Sequence, residues 1–250
     1  MPPLIRFGAS LSSTQPLPKP EGRMGVVSFP KTHPLVPQPP FLWNIVGPTG
    51  VGKTTALIKA LLTAYKYLFD EIYYFVPTMY NDPGWALIEA NPDRVFTDWD
   101  DATLERLHQR INERAREARE RDQSPPAALL VLDDSTGLQK VTGRLGPLDK
   151  IYALDRKNNL SVVNLAQKYR GQLSSLIRSN ATHTSIFRIP TEYEIKAIVD
   201  DLRPVDIPHE QFMSMYHTAV NAGLGSFLHI SRFSPSGHRF SVGFDRVFAQ

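Results

Sequence analysis

Cysteine is absent from this 250-residue sequence, and no apolar run approaches the length of a membrane-spanning helix. The first absence excludes disulfides, thiolate metal sites and cysteine nucleophiles together, so any chemistry must come from other side chains. A membrane span needs about 20 apolar residues, and a secretion signal begins with a basic and then an apolar segment. Neither pattern occurs, so we expect a soluble, intracellular protein.

A large excess of one charge sign is also lacking, because 28 Lys and Arg residues against 25 Asp and Glu residues leave a formal charge of +3. This small positive excess permits a polyanionic partner but does not by itself indicate one. The hydrophobic share of 42% and the charged share of 21% are typical of a folded globular domain. The length suits one large α/β domain with a short appendage.

The N-terminal segment differs from the rest of the chain. Residues 1–40 contain ten of the 21 prolines and show no helical or alternating period. This composition predicts an extended arm over residues 1–39, followed by a folded domain over residues 40–250. The arm is either a solvated tail or a strap across its own domain, or it docks a neighbouring subunit or a shell protein.

From Phe41 onward, short apolar segments alternate with helical ones, which predicts βαβ units and a largely parallel sheet. The predicted strands are 41–46, 71–76, 127–132, 160–166 and 184–189, with a closing hairpin from 225–233 and 239–244; the predicted helices are 53–68, 101–122, 171–180, 191–202 and 209–222. Charges of both signs crowd the 101–122 helix. They favour a solvated, ion-paired face, and contact with DNA is the alternative.

A complete phosphate-binding loop lies between the first predicted strand and the first predicted helix. Its residues are Gly47, Pro48, Thr49, Gly50, Val51, Gly52, Lys53 and Thr54, followed by Thr55. The glycines let the backbone curl so that its N–H groups face phosphate oxygens, and Lys53 places a cation near the β and γ phosphates. The Thr54 hydroxyl can ligate Mg²⁺. The loop therefore predicts ATP and Mg²⁺ as cofactors.

Polar residues directly follow two of the predicted strands, 127–132 and 160–166. Asp133 and Asp134 follow the 127–132 strand: Asp133 would hold Mg²⁺ through its water shell, and Asp134 would orient or deprotonate the water that attacks the γ-phosphate. Alternatively, Asp134 caps the loop or pairs with an arginine. Gln167 follows the 160–166 strand, where its amide could contact the γ-phosphate and that water. The alternative for Gln167 is a hydrogen bond within its own loop.

This ordered set resembles the FtsK/HerA superfamily of DNA-translocating ATPases, and specifically its viral genome-packaging branch, typified by the poxvirus packaging ATPase and its relatives in giant viruses and virophages. Residues 47–54, 130–134, 164–167 and 175–181 carry the resemblance. It implies a P-loop NTPase fold of the RecA-like, additional-strand class, with a largely parallel central sheet flanked by helices. It also implies a homo-oligomeric ring, a hexamer or a pentamer.

In such a ring, the resemblance implies that an arginine from one subunit reaches the nucleotide of the next, which can contribute about 10³ to 10⁵ in rate. Arg178 is the first candidate because the Ile-Arg-Ser-Asn segment matches the family pattern, and Arg156 and Arg170 are alternatives. A structural ion pair is the competing role for Arg178. Two positions depart from relatives: Lys157 replaces the histidine common in the viral family, and Asp134 replaces the glutamate of cellular members, as in viral ones.

The expected function is therefore an ATP-driven translocase that packages double-stranded DNA into a preformed capsid and releases ADP and phosphate. Expected partners are DNA of any sequence and a capsid or vertex protein, in the host cytoplasm or viral factory or with the virion. The alternatives are a nucleotide-gated capsid assembly or scaffold protein and, less favoured, a P-loop small-molecule kinase. The segment after residue 190 is too short and too poor in clustered acids for a nuclease domain.

Overall fold

The chain is organised around one mixed sheet in a computed structural model that describes residues 4–6, 35–133, 146–234 and 238–248. The strands are β1 (Leu4–Arg6), β2 (Leu42–Val46), β3 (Glu71–Phe75), β4 (Val95–Phe96), β5 (Ala128–Leu132), β6 (Leu160–Ala166), β7 (His183–Ile186), β8 (Leu228–Ser231), β9 (Phe240–Val242) and β10 (Arg246–Phe248). The helices are α1 (Lys53–Leu62), α2 (Asp101–Glu120), α3 (Pro147–Leu154), α4 (Ser175–Asn180), α5 (Glu192–Leu202) and α6 (His209–Val220).

The parallel half of the sheet has the order β7-β2-β6-β5-β3-β4. Strands β2, β5 and β6 are buried along their whole length, which explains why they are mostly apolar; the polar exceptions, Asn44, Ser161 and Asn164, are buried as well. One hydrophobic cluster covers each face of the sheet. Strand β6 lies between β2 and β5, and this inserted strand confirms the predicted additional-strand, RecA-like arrangement.

The other half of the sheet is antiparallel and runs β7-β8-β9-β10-β1. Pairing of β8 with β9 confirms the predicted closing hairpin, whereas β10 and its partner β1 had no clear signal in the sequence. Near the end of the proposed arm, Leu35 and Val36 are buried in the core beneath α1. The division at residue 39 and the role of the arm stay predictions.

Helix α1 is shorter than the predicted 53–68 segment, because it ends at Leu62. Thr63 leaves the helical conformation while its hydroxyl donates a hydrogen bond to the Lys59 carbonyl at 2.6 Å, and Tyr67 adopts a left-handed φ of 65°. The predicted apolar face nevertheless continues through buried residues of this turn. The spacing of apolar residues in the sequence therefore did not distinguish a helix from a compact turn.

The helix predicted over 171–180 begins only at Ser175. Gly171 has a left-handed φ of 93°, and the Ser174 hydroxyl accepts a hydrogen bond from the Ile177 N–H at 3.1 Å, which marks Ser174 as the N-cap. Helix α3 was missed, since its eight residues give little periodicity. Within the described ranges, no helix is long and apolar enough to cross a bilayer.

Part of the charged face of α2 is ion-paired within the subunit. Glu71, which is buried at the start of β3, accepts from the Arg94 guanidinium at 2.9 Å and the Tyr73 hydroxyl at 2.8 Å, and it also pairs with Arg114. Arg110 lies 3.7 Å from the same carboxylate. A buried carboxylate is costly unless it is paired and hydrogen-bonded. These contacts give Arg110 and Arg114 of α2 a structural role.

Candidate nucleotide-binding site

The predicted phosphate loop leaves the carboxyl end of β2 and enters α1. Gly47 donates its N–H to the Ala166 carbonyl of β6 at 3.1 Å, and Gly50 and Gly52 adopt left-handed φ angles of 83° and 99°. Helix α1 begins at Lys53, and in this described loop no side chain caps it and no acid lies in its first turn. Because the first N–H groups of a helix lack intrahelical partners, this helix start is suited to an anion.

Lys53 is buried beneath the loop, with 8% of its surface exposed. Its Nζ donates to the carbonyl oxygen of Pro48 at 2.9 Å, so the ammonium lies across the mouth of its own loop. Thr49, Gly50 and Thr55 are exposed, and Thr54 is half-buried. The loop therefore exposes part of its backbone at the sheet edge where the parallel strands end, with the Lys53 ammonium buried against it.

Gly47 has a steric requirement that the motif alone does not reveal. A Cβ at this position would lie 2.7 Å from Phe187 Cβ and 3.0 Å from Val51 Cγ2. Phe187 is itself held against Phe227, with ring centroids 4.8 Å apart. The close approach of β2 to the residue after β7 therefore needs glycine.

We expect Gly47→Ala to lower the free energy of unfolding by about 1–3 kcal/mol, as overpacking does, and to weaken nucleotide binding because the loop must move. Thermal denaturation and ADP titration measure the two effects. Gly223→Ala is the matched control, since its nearest contact would be an ordinary 3.5 Å to Ser226 Oγ. Equal melting temperatures for the two variants would contradict the steric argument.

The predicted magnesium residues lie together. The Thr54 hydroxyl donates to Asp133 Oδ2 at 3.4 Å, and the Asp133 N–H bonds the Phe75 carbonyl of β3 at 3.0 Å, which ties the residue to the end of the sheet. Among the described residues, no group of three or more His, Cys, Asp or Glu residues could hold a metal. Mg²⁺ commonly uses one or two protein oxygens together with phosphates and waters. A hydroxyl beside a carboxylate fits that mode.

Trp85 also contacts Asp133, which no pattern in the sequence indicates. The indole N–H donates to Asp133 Oδ2 at 3.2 Å, the same oxygen that Thr54 reaches. Trp85 begins a short 3₁₀ helix, Trp85–Leu87, in the irregular passage between β3 and β4. A single tryptophan in such a passage belongs to no motif, so only the fold reveals this contact.

Gln167 lies at the same edge of the sheet as the phosphate loop. Val46 is paired with Ala166, so the residues that follow them, Gly47 and Gln167, lie side by side. Gln172 Oε1 accepts the N–H of Gln167 at 2.6 Å, which ties down the turn after β6 and is a second contact that the sequence did not indicate. Asp134 lies outside the described residues. The catalytic roles of Gln167 and Asp134 stay predictions.

The candidate arginines 170 and 178 converge on one carboxylate of their own subunit. Arg178 donates to Asp201 Oδ2 at 2.8 Å and to the Leu173 carbonyl at 2.7 Å, and its guanidinium lies 5.4 Å from the Tyr169 ring centroid. Arg170 bonds the other oxygen of Asp201 at 3.3 Å. Arg156 is exposed in the 3₁₀ helix Asp155–Asn158. Arg178 thus makes the competing ion pair in the single subunit, and its action on a neighbour stays a prediction.

Solved structures share this fold at low sequence identity. The genome packaging NTPase B204 from Sulfolobus turreted icosahedral virus 2, in complex with AMP, has a TM-score of 0.56 and 13% identity, over 82% of this chain and 98% of B204. The pCW3 conjugation coupling protein TcpA with ATPγS has a TM-score of 0.54 and 14% identity, over 81% of this chain and 59% of TcpA. EssC (ATPases 2 and 3) from Geobacillus thermodenitrificans has a TM-score of 0.51 and 12% identity, over 84% of this chain and 39% of EssC.

Family membership rests on the sequence itself. Among curated protein sequences none matches the chain, but the family described as "Poxvirus A32 protein" matches residues 31–206, well over half of the chain. The matched range contains the phosphate loop, Asp133, Gln167 and Arg178. The chain therefore belongs to the family described as poxvirus A32 protein.

Proposed function

We propose that this protein is an Mg²⁺-dependent ATPase that drives double-stranded DNA into a preformed capsid and releases ADP and phosphate. The observation that carries the proposal is the approach of Thr54 to Asp133, 3.4 Å apart, beside the buried Lys53. These two residues are 79 positions apart in sequence: Thr54 lies in the first turn of α1, and Asp133 directly follows β5. They are the groups that a magnesium-bound triphosphate needs at one edge of a parallel sheet.

Each group has a defined task in this proposal. Lys53 and the N–H groups of residues 50–55 bind and orient the phosphates, and Lys53 offsets the charge that develops on the γ-phosphoryl group. Thr54 would ligate the ion and Asp133 would hold it through its water shell, and the ion when bound would polarise the phosphate oxygens. Asp134 orients or deprotonates the attacking water, and Gln167 contacts the γ-phosphate from the neighbouring strand end.

DNA would be held mainly through its phosphates, so binding should fall steeply with salt and be indifferent to sequence. The proposed assembly is a ring of five or six copies that docks a capsid or vertex protein, in the host cytoplasm or viral factory or with the virion. B204 is a genome packaging NTPase of the same fold, which supports this proposal by analogy.

The test is ATP hydrolysis by the full chain with and without duplex DNA, with phosphate release followed over a range of DNA lengths and salt concentrations. The mass of the particle is measured in parallel with ATP present. We expect DNA to increase turnover and high salt to abolish this increase. We expect the particle to have the mass of five or six copies of the chain. A turnover that no DNA of any length or form changes would exclude translocation, and phosphate transferred to an added small acceptor would indicate a kinase.

Mixed rings test whether Arg178 acts on the neighbouring subunit. Arg178→Ala should lower turnover by about 10³-fold if the guanidinium stabilises the transition state in trans. The fold should persist, because Asp201 keeps Arg170 as a partner. Mixing Arg178→Ala subunits with Lys53→Ala subunits should restore part of the activity, since some interfaces then combine an intact loop with an intact arginine.

Arg156→Ala is the control for this mixing experiment, because Arg156 is exposed and its loss should leave turnover unchanged if Arg178 acts in trans. If the mixture of Arg178→Ala and Lys53→Ala subunits shows no recovery although mixed rings form, Arg178 serves only its ion pair with Asp201. Loss of activity in Arg156→Ala with rescue on mixing would instead assign the trans role to Arg156.

A further inference from the structure

Trp85 makes a polar contact that is unusual for a core tryptophan. Its side chain is 1% exposed, and its indole N–H is directed at Asp133 Oδ2, 3.2 Å away. A buried N–H without an acceptor destabilises the folded state, so the carboxylate is part of what makes this packing possible. Conversely, the indole provides Asp133 with a hydrogen-bond donor that is itself buried away from solvent.

The indole is held rigidly by its surroundings. The backbone N–H of Trp85 donates to the Asp82 carbonyl at 3.0 Å, and the backbone carbonyl of Trp85 accepts from the Ile88 N–H at 2.9 Å. The Gly84 N–H bonds Asp82 Oδ1 at 2.8 Å, which closes the turn before the indole. The Tyr74 ring of β3 packs edge-on against it at 6.0 Å between centroids. These contacts support the indole in the position in which its N–H meets Asp133.

Two donors from different parts of the fold meet on one carboxylate oxygen. Thr54 reaches Oδ2 from the start of α1, and Trp85 reaches it from the passage between β3 and β4. A carboxylate held by a fixed donor cannot rotate freely about its Cβ–Cγ bond, and hydrogen bonds to an ionised acceptor are stronger than neutral ones. Residues that orient a metal ligand in this way commonly change metal affinity by 10–100-fold when they are altered.

We propose that Trp85 is a positioning residue for magnesium, whose indole N–H fixes the orientation of the Asp133 carboxylate toward the ion shared with the nucleotide. This inference rests on the proposed ATPase function, but it concerns ion binding and needs no hydrolysis. Trp85→Phe keeps an aromatic ring near Tyr74 but removes the five-membered ring of the indole together with its N–H donor. Comparison with a Trp→Phe substitution elsewhere, which removes the same ring, separates orientation of the carboxylate from filling of the core.

The experiment titrates ADP into the full chain at fixed Mg²⁺ concentrations and in EDTA. Trp85→Phe should bind ADP as the wild type does in EDTA, and it should need about tenfold more Mg²⁺ for half of the magnesium-dependent gain in affinity. Trp99→Phe is the matched control: the Trp99 N–H is buried and has no hydrogen-bond partner among the described residues. Its magnesium requirement should equal that of the wild type.

A spectroscopic measurement on the unsubstituted chain makes the test independent of variant folding. With 5-fluorotryptophan at positions 43, 85 and 99, ¹⁹F spectra should show one resonance that shifts when Mg²⁺ joins the ADP-bound protein. Mn²⁺ in place of Mg²⁺ should broaden that same resonance most, because Trp85 is the tryptophan that contacts the proposed ion ligand.

The outcomes distinguish the two proposals. A folded Trp85→Phe protein with the magnesium requirement of the wild type would overturn the role of Trp85, as would a spectrum in which Mn²⁺ broadens no tryptophan resonance selectively in the ADP-bound protein. Wild-type protein that binds ADP in a magnesium-dependent way but hydrolyses no ATP would overturn the proposed function and leave the role of Trp85 standing. Protein that binds no ADP under any condition would overturn both.

Discussion

Lys53→Ala is expected to lower ATP turnover by about 10²–10³-fold and to weaken ATP binding, as removal of a preorganised transition-state donor does. Lys53 is buried under the phosphate loop, and its ammonium donates to the Pro48 carbonyl within that loop. Alanine removes the cation from the place where the β and γ phosphates would lie, and no flexible surface lysine can occupy that position. Phosphate release measures the loss of turnover, and titration with a non-hydrolysable ATP analogue measures the loss of binding.

Lys59→Ala is the control, because Lys59 is an exposed lysine on the same helix and its substitution removes the same charge. Its turnover should stay within a factor of two of the wild type, as is usual for a surface change. Circular dichroism should show that both variants remain folded. Turnover in Lys53→Ala equal to that of Lys59→Ala would mean that the loop does not bind the phosphates.

Asp134→Asn is expected to leave ATP bound but to lower its cleavage by about 10²–10⁴-fold, the range that a general base or water-orienting group contributes. The amide keeps the size of the side chain but cannot accept the proton of the attacking water. A single-turnover experiment, with ATP bound first and its cleavage then followed, separates binding from chemistry.

Asp133→Asn provides the comparison for that prediction, because the adjacent acid has a different task. The Asp133 carboxylate accepts hydrogen bonds from the Thr54 hydroxyl and the Trp85 indole N–H. Loss of this carboxylate should therefore appear chiefly as a higher magnesium requirement. Near-normal cleavage by Asp134→Asn would show that another group serves as the base. Identical defects in the two variants would show that the acids do not divide the work as proposed.

The sequence was sufficient for the phosphate loop because every determinant of that loop is local. Gly50 and Gly52 take left-handed angles, Lys53 begins the helix, and these positions lie within a few residues of one another. The largely parallel sheet was also accessible, since apolar segments alternate with helical ones, and the resemblance implied the additional-strand class. Thr54 and Asp133 then meet because parallel strands end at a common edge.

Element ends were less accessible because they depend on particular hydrogen bonds. Helix α1 ends where Thr63 bonds back to Lys59, and α4 starts where Ser174 caps Ile177. Apolar spacing continued smoothly through both positions, so periodicity predicted longer helices than the fold contains. Short elements such as α3 and β10 carry too few residues to show a period.

By itself, the sequence identified the residues proposed to bind a triphosphate, the acids proposed to face it, and the family that the chain resembles. Only the tertiary structure decided which side chains hold those groups in place, because such contacts join segments with no fixed spacing. Trp85 meets Asp133 across 48 residues, and Arg178 meets Asp201 across 23. A motif records the atoms that touch the ligand, whereas the residues that orient them are selected by packing, which depends on the whole fold.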